Sequence, residues 1–170
     1  MPYFVPFVYF VVRNSGCALS DYSDLYQDLI LDHQKNPRNF GELPEANHHA
    51  DGFNPLCGDK IALDLKIDSK GVIEDIRFKG SGCAISKASA SMMTAALKGK
   101  STHEAEKIFH GFHDMVTGKE GSQDLGKLKV FAGVREYPAR VKCASLAWHT
   151  LEAALHDEKN VVSTDDGEGS

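Results

Sequence analysis

The sequence predicts a single α+β domain, in which a small antiparallel β-sheet of about three strands carries helices packed on one face. Three observations predict this class. Alternating apolar residues mark a β-hairpin, helical patterns flank it on both sides, and no internal repeat or Pro-, Gly- or Ser-rich linker divides the 170 residues. With 42% hydrophobic and 25% charged residues, the composition is that of a chain able to bury a core.

The first helix is predicted within the stretch SDYSDLYQDLILDHQK. Leu25, Leu29 and His33 recur at helical spacing, and Ser23 is a candidate N-cap. The segment NPRNFG at 36–41 contains the proline and glycine that end such a helix.

The hairpin follows a long predicted loop at 42–59. Its first strand, KIALDLKID, alternates apolar and polar residues, the segment SKG forms the turn, and VIEDIRFKG is the second strand. A third strand is expected from residues 41–56 or from the loop before Pro138. Cys83 then lies between the GSG at 80–82 and a helix rich in alanine and serine, so it is predicted at a helix N-terminus, where unpaired amides favour a negative group.

The C-terminal half is predicted to be helical. A helix is expected from Ser101 or Thr102 to Gly118, and a weaker helical stretch follows it. Pro138 is expected to end that region, and a final amphipathic helix is expected from Val141. This places Cys143 in the first turn of the last helix.

The two chain ends differ from the body. Residues 1–20 are predicted to be a leader of unclear status, either disordered or translated from a start upstream of the functional one. Its apolar run of about twelve residues is too short to span a bilayer, is broken by Pro2 and Pro6, and has no preceding positive charge that would indicate a signal peptide. Residues 157–170 are predicted to be an acidic disordered tail.

The charge distribution excludes several classes of partner. The formal charge is −5, of which −4 lies in residues 156–170, so the body is near neutral. Such a body lacks the basic surface that binds nucleic acid or an anionic membrane. Neither is expected as a partner.

Four cysteines occur, at positions 17, 57, 83 and 143. A chain of this length does not need disulfides, and no convincing export signal precedes it, so cytoplasmic thiols that react or bind metal are expected. Cys17 lies in the leader and is set apart.

The other three cysteines each lie at a loop end or a helix start and can converge if the helices pack on the hairpin. The spacings are long, however, with 25 residues between Cys57 and Cys83 and 59 between Cys83 and Cys143. In an extended Cys-Gly-Asp, the side chains of Cys57 and Asp59 point to the same side, and a carboxylate is an acceptable fourth zinc ligand. Any one of these cysteines considered singly is more typical of a small buried hydrophobe.

Other candidate groups have weaker patterns. The GSG before the helix could bind an anion, but it lacks the lysine of a phosphate loop. His110 and His113 could share a metal, although a solvated helix face is the better interpretation for them and for His103. His48 and His49 are adjacent, so their side chains diverge and a loop surface is favoured.

Four segments closely resemble the U-type iron–sulfur cluster assembly proteins, the family of IscU, SufU and the NifU N-terminal domain: LYQDLILDHQKNPRNFG, NPLCGDKIALDLKID, IEDIRFKGSGCAISKASASMMT and YPARVKCASLAWHTL. The resemblance implies a SufE/NifU-like fold for a domain at 21–156. The IscU branch has a histidine before its last cysteine and a Leu-Pro-Pro-Val-Lys segment. This chain has Lys142 and REYPARVK instead, which favours the SufU-like subgroup.

The resemblance also implies the site and the function. One zinc ion would be bound by Cys57, Asp59, Cys83 and Cys143, with Cys57 as the sulfur acceptor and Cys143 as second choice. The partner would be a pyridoxal-phosphate-dependent cysteine desulfurase of the SufS type, whose persulfide sulfur is carried to downstream Suf components or apoproteins. This makes the chain a possible sulfurtransferase.

Two alternatives remain open at this point. The same cysteines could assemble a transient iron–sulfur cluster, with the chain as a scaffold that passes it to apoproteins. A thiol hydrolase using one cysteine and one histidine, or a structural zinc domain, is the competing class.

Overall fold

The computed structural model describes residues 18–121, 123–157 and 161–164, with side chains from Tyr26 onward. In chain order its elements are α1 (Ala18–Lys35), β1 (His48–Asn54), β2 (Asp59–Ile67), β3 (Ile73–Ser81), α2 (Ala84–Leu97), α3 (Thr102–Thr117), a 3-10 helix (Gly126–Glu136), α4 (Pro138–Leu155) and β4 (Val162–Ser163). The predicted α+β class is confirmed.

The sheet has the strand order β3-β2-β1-β4. Strands β1, β2 and β3 form an antiparallel meander, and β4 adds in parallel to β1. The third strand therefore comes from the region 41–56, and the prediction of an unbroken loop at 42–59 is wrong. Strand β1 was not evident because its buried positions are Ala50, Gly52 and Asn54, which show no strong apolar alternation.

Helices cover one face of the sheet and enclose the core. The inward residues Ile61, Leu63 and Leu65 of β2 are buried beneath α4, and α2 packs against β3. A Cβ atom added at Gly52 would lie 2.1 Å from Thr150 Oγ1, so α4 lies almost directly on the backbone of β1. Towards its N-terminus, α4 reaches the last residue of β1, where Cys143 contacts Asn54.

Several helix boundaries differ from expectation. Helix α1 begins at Ala18, so Ser23 lies within it and is not its N-cap. Pro138 begins α4 instead of ending the preceding segment, because proline has no N–H to lose in the first turn. Cys143 is consequently in the second turn of α4, and the weak helical stretch is the 3-10 helix.

The boundaries of α3 are confirmed. Ser101 Oγ accepts a hydrogen bond from Glu104 N, and the Glu104 carboxylate accepts one from Ser101 N, which is a reciprocal capping box. Gly118 ends the helix at φ +80°, a left-handed conformation that favours glycine.

Part of each predicted terminal segment lies outside the described residues, namely 1–17 with Cys17, 158–160 and 165–170. The predicted leader boundary at residue 20 is too late, because α1 includes 18–20. The prediction of a disordered tail is wrong at 162–163, where β4 pairs with Gly52 and Phe53. In the part of the chain that the structure describes, no helix is long and apolar enough to cross a membrane.

Candidate metal centre

Cys57 lies on the tight turn between β1 and β2, at residues 55–58. Gly58 closes this turn at φ +72°, and its N–H donates to the carbonyl oxygen of Asn54 at 2.8 Å. The left-handed conformation accounts for the glycine between Cys57 and Asp59. Cys57 is exposed, whereas Asp59, the first residue of β2, is only 1% exposed.

Asp59 has one hydrogen-bonded and one unpartnered carboxylate oxygen. Its Oδ1 accepts the backbone N–H of Cys83 at 2.9 Å. Its Oδ2 is buried and has no hydrogen-bond partner among the described residues. A buried carboxylate oxygen without a partner is strongly unfavourable, so this atom is suited to a cation.

Cys83 is the N-cap of α2, as predicted. Its Sγ accepts the N–H of Ser86 at 3.4 Å, so the thiol occupies the place of a capping oxygen at the positive end of the helix. The preceding Gly82 leaves room for the Asp59 carboxylate, because a Cβ atom there would lie 3.0 Å from Asp59 Oδ1.

Cys143 is buried at 3% exposure on α4. Its Sγ lies 3.2 Å from Cys57 Sγ, and Asn54 Nδ2 donates to it at 3.6 Å. Burial raises the pKa of the Cys143 thiol far above its usual range, and the neighbouring Cys57, Cys83 and Asp59 raise it further. A thiol in this position ionises only if a positive charge compensates it.

The structure brings three of the four predicted ligands into one cluster. The ligand atoms of Cys57, Asp59 and Cys143 all lie within 4.8 Å of one another. Cys83 lies beside this cluster: its backbone N–H donates to Asp59 Oδ1, and its thiol is near enough to raise the pKa of Cys143. Three sulfurs and one carboxylate oxygen are a donor set that fits zinc and does not fit magnesium or calcium.

The histidines considered in the sequence lie elsewhere. His49 is paired with Asp64, at 2.6 Å, and with Asp51. His113 of α3 lies 5.7 Å from His149 of α4, ring centre to ring centre. Across the described ranges, the cluster of Cys57, Asp59 and Cys143 is the group of three side chains close enough to bind one metal ion.

One contributor was not predicted from the sequence. Asn54 is fully buried and contacts both Cys143 and the turn that carries Cys57. The signal that could have indicated it is the Asn-Pro pair three residues before the cysteine, which is typical of turn initiation.

The fold and this cluster together define a class of protein. An α+β domain that gathers three thiols and a buried carboxylate at one end of its sheet is a metal- or sulfur-handling protein. The chain contains the NifU-like N-terminal domain, which matches residues 25–144.

Known relatives give the same assignment. The chain is 47% identical over 137 residues to the zinc-dependent sulfurtransferase SufU of Bacillus subtilis, covering 79% of this chain and 92% of SufU. It is 43% identical over 145 residues to the iron–sulfur cluster assembly scaffold protein IscU of Streptococcus pyogenes serotype M1, covering 84% and 90%.

A solved structure of a relative has the same fold. It is described as a candidate iron–sulfur cluster assembly scaffold protein of the SUF system from Fervidobacterium islandicum. It superposes with a TM-score of 0.72 at 37% identity, covering 75% of this chain and 94% of that one. This chain belongs to the NifU-like N-terminal domain family, which includes its SufU and IscU relatives, and the predicted family is confirmed.

Proposed function

We propose that this protein acts in iron–sulfur cluster assembly as a zinc-dependent sulfur carrier, which accepts persulfide sulfur from a cysteine desulfurase. The observation that carries the proposal is the unpartnered Asp59 Oδ2, which is buried in a cluster with two thiols. The name of the Bacillus subtilis relative, a zinc-dependent sulfurtransferase, supports it. The zinc ligands would be Cys57, Asp59, Cys83 and Cys143.

Bound zinc would keep the thiols ionised at neutral pH and would allow a ligand to exchange without a redox change. The protein's own groups prepare the site. The Cys83 amide orients Asp59, and the start of α4 holds Cys143 in the core. Cys57, by contrast, faces solvent on its turn.

Cys57 is the proposed acceptor because it is exposed and lies on a turn, whereas Cys83, which is also exposed, is engaged as the N-cap of α2. Its thiolate attacks the terminal sulfur of a persulfide on the desulfurase, the sulfur–sulfur bond of that persulfide breaks, and the bonding electrons leave on the desulfurase cysteine as a thiolate. Cys57 then carries the persulfide, so no outside oxidant or reductant is consumed.

The partners follow from this chemistry. The donor would be a pyridoxal-phosphate-dependent desulfurase of the SufS type, and the exposed Leu56 beside Cys57 gives it an apolar contact. Downstream Suf components or apoproteins would receive the sulfur. A cytoplasmic location belongs to this proposal, because free thiols persist in a reducing compartment.

A scaffold function is the second candidate. Its support is the name of the Streptococcus pyogenes relative, a cluster assembly scaffold, together with the presence of three thiols, which are the usual ligands of an iron–sulfur cluster. In that case, the cluster is cargo bound by the same cysteines.

Elemental analysis distinguishes the two. The protein is purified anaerobically, and zinc, iron and acid-labile sulfide are measured for wild type and Cys83→Ala. About one zinc per chain, lost in the variant and without sulfide, supports the carrier. Iron with matching sulfide supports the scaffold. Neither metal in wild type contradicts both, whereas activity that survives metal removal and depends on a single cysteine indicates a hydrolase.

A further inference from the structure

Asn54 connects the two thiols that lie closest together. It is the last residue of β1, is paired in register with Asp59, and is fully buried. Its position on the inward face of the strand directs the side chain towards α4 and Cys143.

The hydrogen bonds of Asn54 fix the orientation of its amide. Its Oδ1 accepts the N–H of Leu56 at 3.1 Å, within the turn that carries Cys57. The amide NH₂ group must therefore face the other way, where it donates to Cys143 Sγ at 3.6 Å. One side chain thus shapes the turn of Cys57 and also supplies a donor to Cys143.

The side-chain N–H of Asn54 is directed at the sulfur of Cys143, so it affects the Cys143 thiolate and not the Cys57 thiolate. It stabilises negative charge on Cys143 and occupies one of its lone pairs, so that this sulfur is a better retained ligand and a poorer nucleophile. Among the described residues, no N–H group donates to Cys57 Sγ, whose contact is with Cys143 Sγ at 3.2 Å.

We propose that Asn54 is a positioning residue that assigns the acceptor role to Cys57 by holding Cys143 in place as the retained zinc ligand. This inference rests on the proposed function. It extends that function by naming the residue that makes the two neighbouring thiols unequal.

The substitution Asn54→Asp separates the two contacts of the side chain. Aspartate keeps an oxygen for Leu56 N and so preserves the turn, but it removes the donor to Cys143. Asn47→Asp is the matched control. Asn47 precedes β1 and makes equivalent hydrogen bonds with Ile67, far along the sheet from the cysteines.

The experiment uses zinc-loaded protein, brief labelling with iodoacetamide and peptide mass spectrometry. Among Cys57, Cys83 and Cys143, wild type is expected to be labelled mainly at Cys57; Cys17 lies outside the proposed ligand set and is not compared. In Asn54→Asp, the ratio of Cys143 to Cys57 labelling should rise by about tenfold, the lower end of the effect of removing a hydrogen-bond partner from a metal ligand. Asn47→Asp should match wild type. Loss of zinc from folded Asn54→Asp also supports the proposal if Asn54→Ser, which lacks the amide donor and adds no charge, loses zinc as well; loss in Asn54→Asp alone counts against it.

Three other results also count against it. An unchanged ratio in zinc-loaded Asn54→Asp overturns the role of Asn54 and leaves the proposed function intact. Preferential labelling of Cys143 in wild type overturns it as well. A wild-type protein that binds no zinc contradicts the proposed function itself. If circular dichroism shows that Asn54→Asp is unfolded, Asn54→Ser, which also lacks the amide donor, is tested by the same criteria.

Discussion

The turn between β1 and β2 and the start of α4 both supply a thiol to the same cluster, but they hold it differently. Cys57 is exposed on a turn, and its neighbour Leu56 is 61% exposed. Cys143 is 3% exposed and is followed along α4 by buried Ala144. Their sulfur atoms are nevertheless only 3.2 Å apart. Two thiols in contact can therefore have separate tasks, because one is carried by an exposed turn and the other by a buried part of a helix.

The largest expected effect tests this difference directly. In a reaction with a cysteine desulfurase and cysteine, Cys57→Ser should lose essentially all persulfide on the three clustered cysteines, because Cys83 Sγ is engaged as the N-cap of α2 and Cys143 is buried. Cys143→Ser should keep a measurable persulfide on Cys57. Peptide mass spectrometry under non-reducing conditions locates the sulfur. If persulfide persists in Cys57→Ser and disappears in Cys143→Ser, Cys143 is the sulfur acceptor and Cys57 is the retained ligand.

The second prediction concerns the carboxylate between these regions. Asp59→Ala should weaken zinc binding by about 100-fold, because it removes a ligand and frees the amide of Cys83. Competition with a chromophoric chelator measures this affinity. In metal-free protein, Asp59→Asn should raise Tm by about 2–4 °C, since it removes a buried carboxylate oxygen without a partner, worth about 1 kcal/mol. Zinc affinity unchanged in Asp59→Ala would remove Asp59 from the ligand set.

A smaller effect is expected from crowding the carboxylate. In Gly82→Ala, the new Cβ atom would lie 3.0 Å from Asp59 Oδ1, so the side chain of Asp59 must shift. Zinc affinity should fall by about tenfold. Gly133→Ala is the matched control, because a Cβ atom there meets nothing within 4 Å. Equal zinc affinity in both variants would show that the position of Asp59 is not critical.

The smallest expected effect concerns His149, which follows Cys143 on α4. Burial lowers the pKa of His149, and nearby His113 lowers it further, so the unfolded chain binds more protons than the folded one below about pH 6.5. Stability should therefore fall as pH falls through this window. His149→Gln should flatten the decrease in Tm between about pH 7.5 and about pH 5.5.

His49 provides the opposite sign and serves as the control. Its hydrogen bond with Asp64 raises its pKa, so its contribution to stability is present at low pH and is lost as pH rises. His49→Gln should steepen the acid-induced decrease in Tm. The same pH profile for both variants would contradict these assignments.

The parts of the fold that were predicted correctly are those indicated by residues close together in the sequence. The alternation in β2 and β3 and the caps of α3 are evident in the sequence, and the predicted ligands come from motifs shared with relatives. Strand β1 was predicted only as one of two alternatives, because close packing under α4 requires Gly52, which breaks the apolar pattern. The prediction that Pro138 ends the preceding segment is wrong because proline is equally compatible with the first turn of a helix, and here it begins α4. Asn54 was missed because its role depends on Cys143, which is 89 positions away.

Strand β4 has a consequence for the behaviour of the chain in a crowded solution. Its two residues pair with Gly52 and Phe53, along the side of β1 that would otherwise form the border of the sheet. Uncovered backbone N–H and C=O groups at such a border recruit strands from other molecules. By returning to cover β1, the last described strand limits edge-to-edge aggregation beside the turn that carries Cys57, the proposed sulfur acceptor.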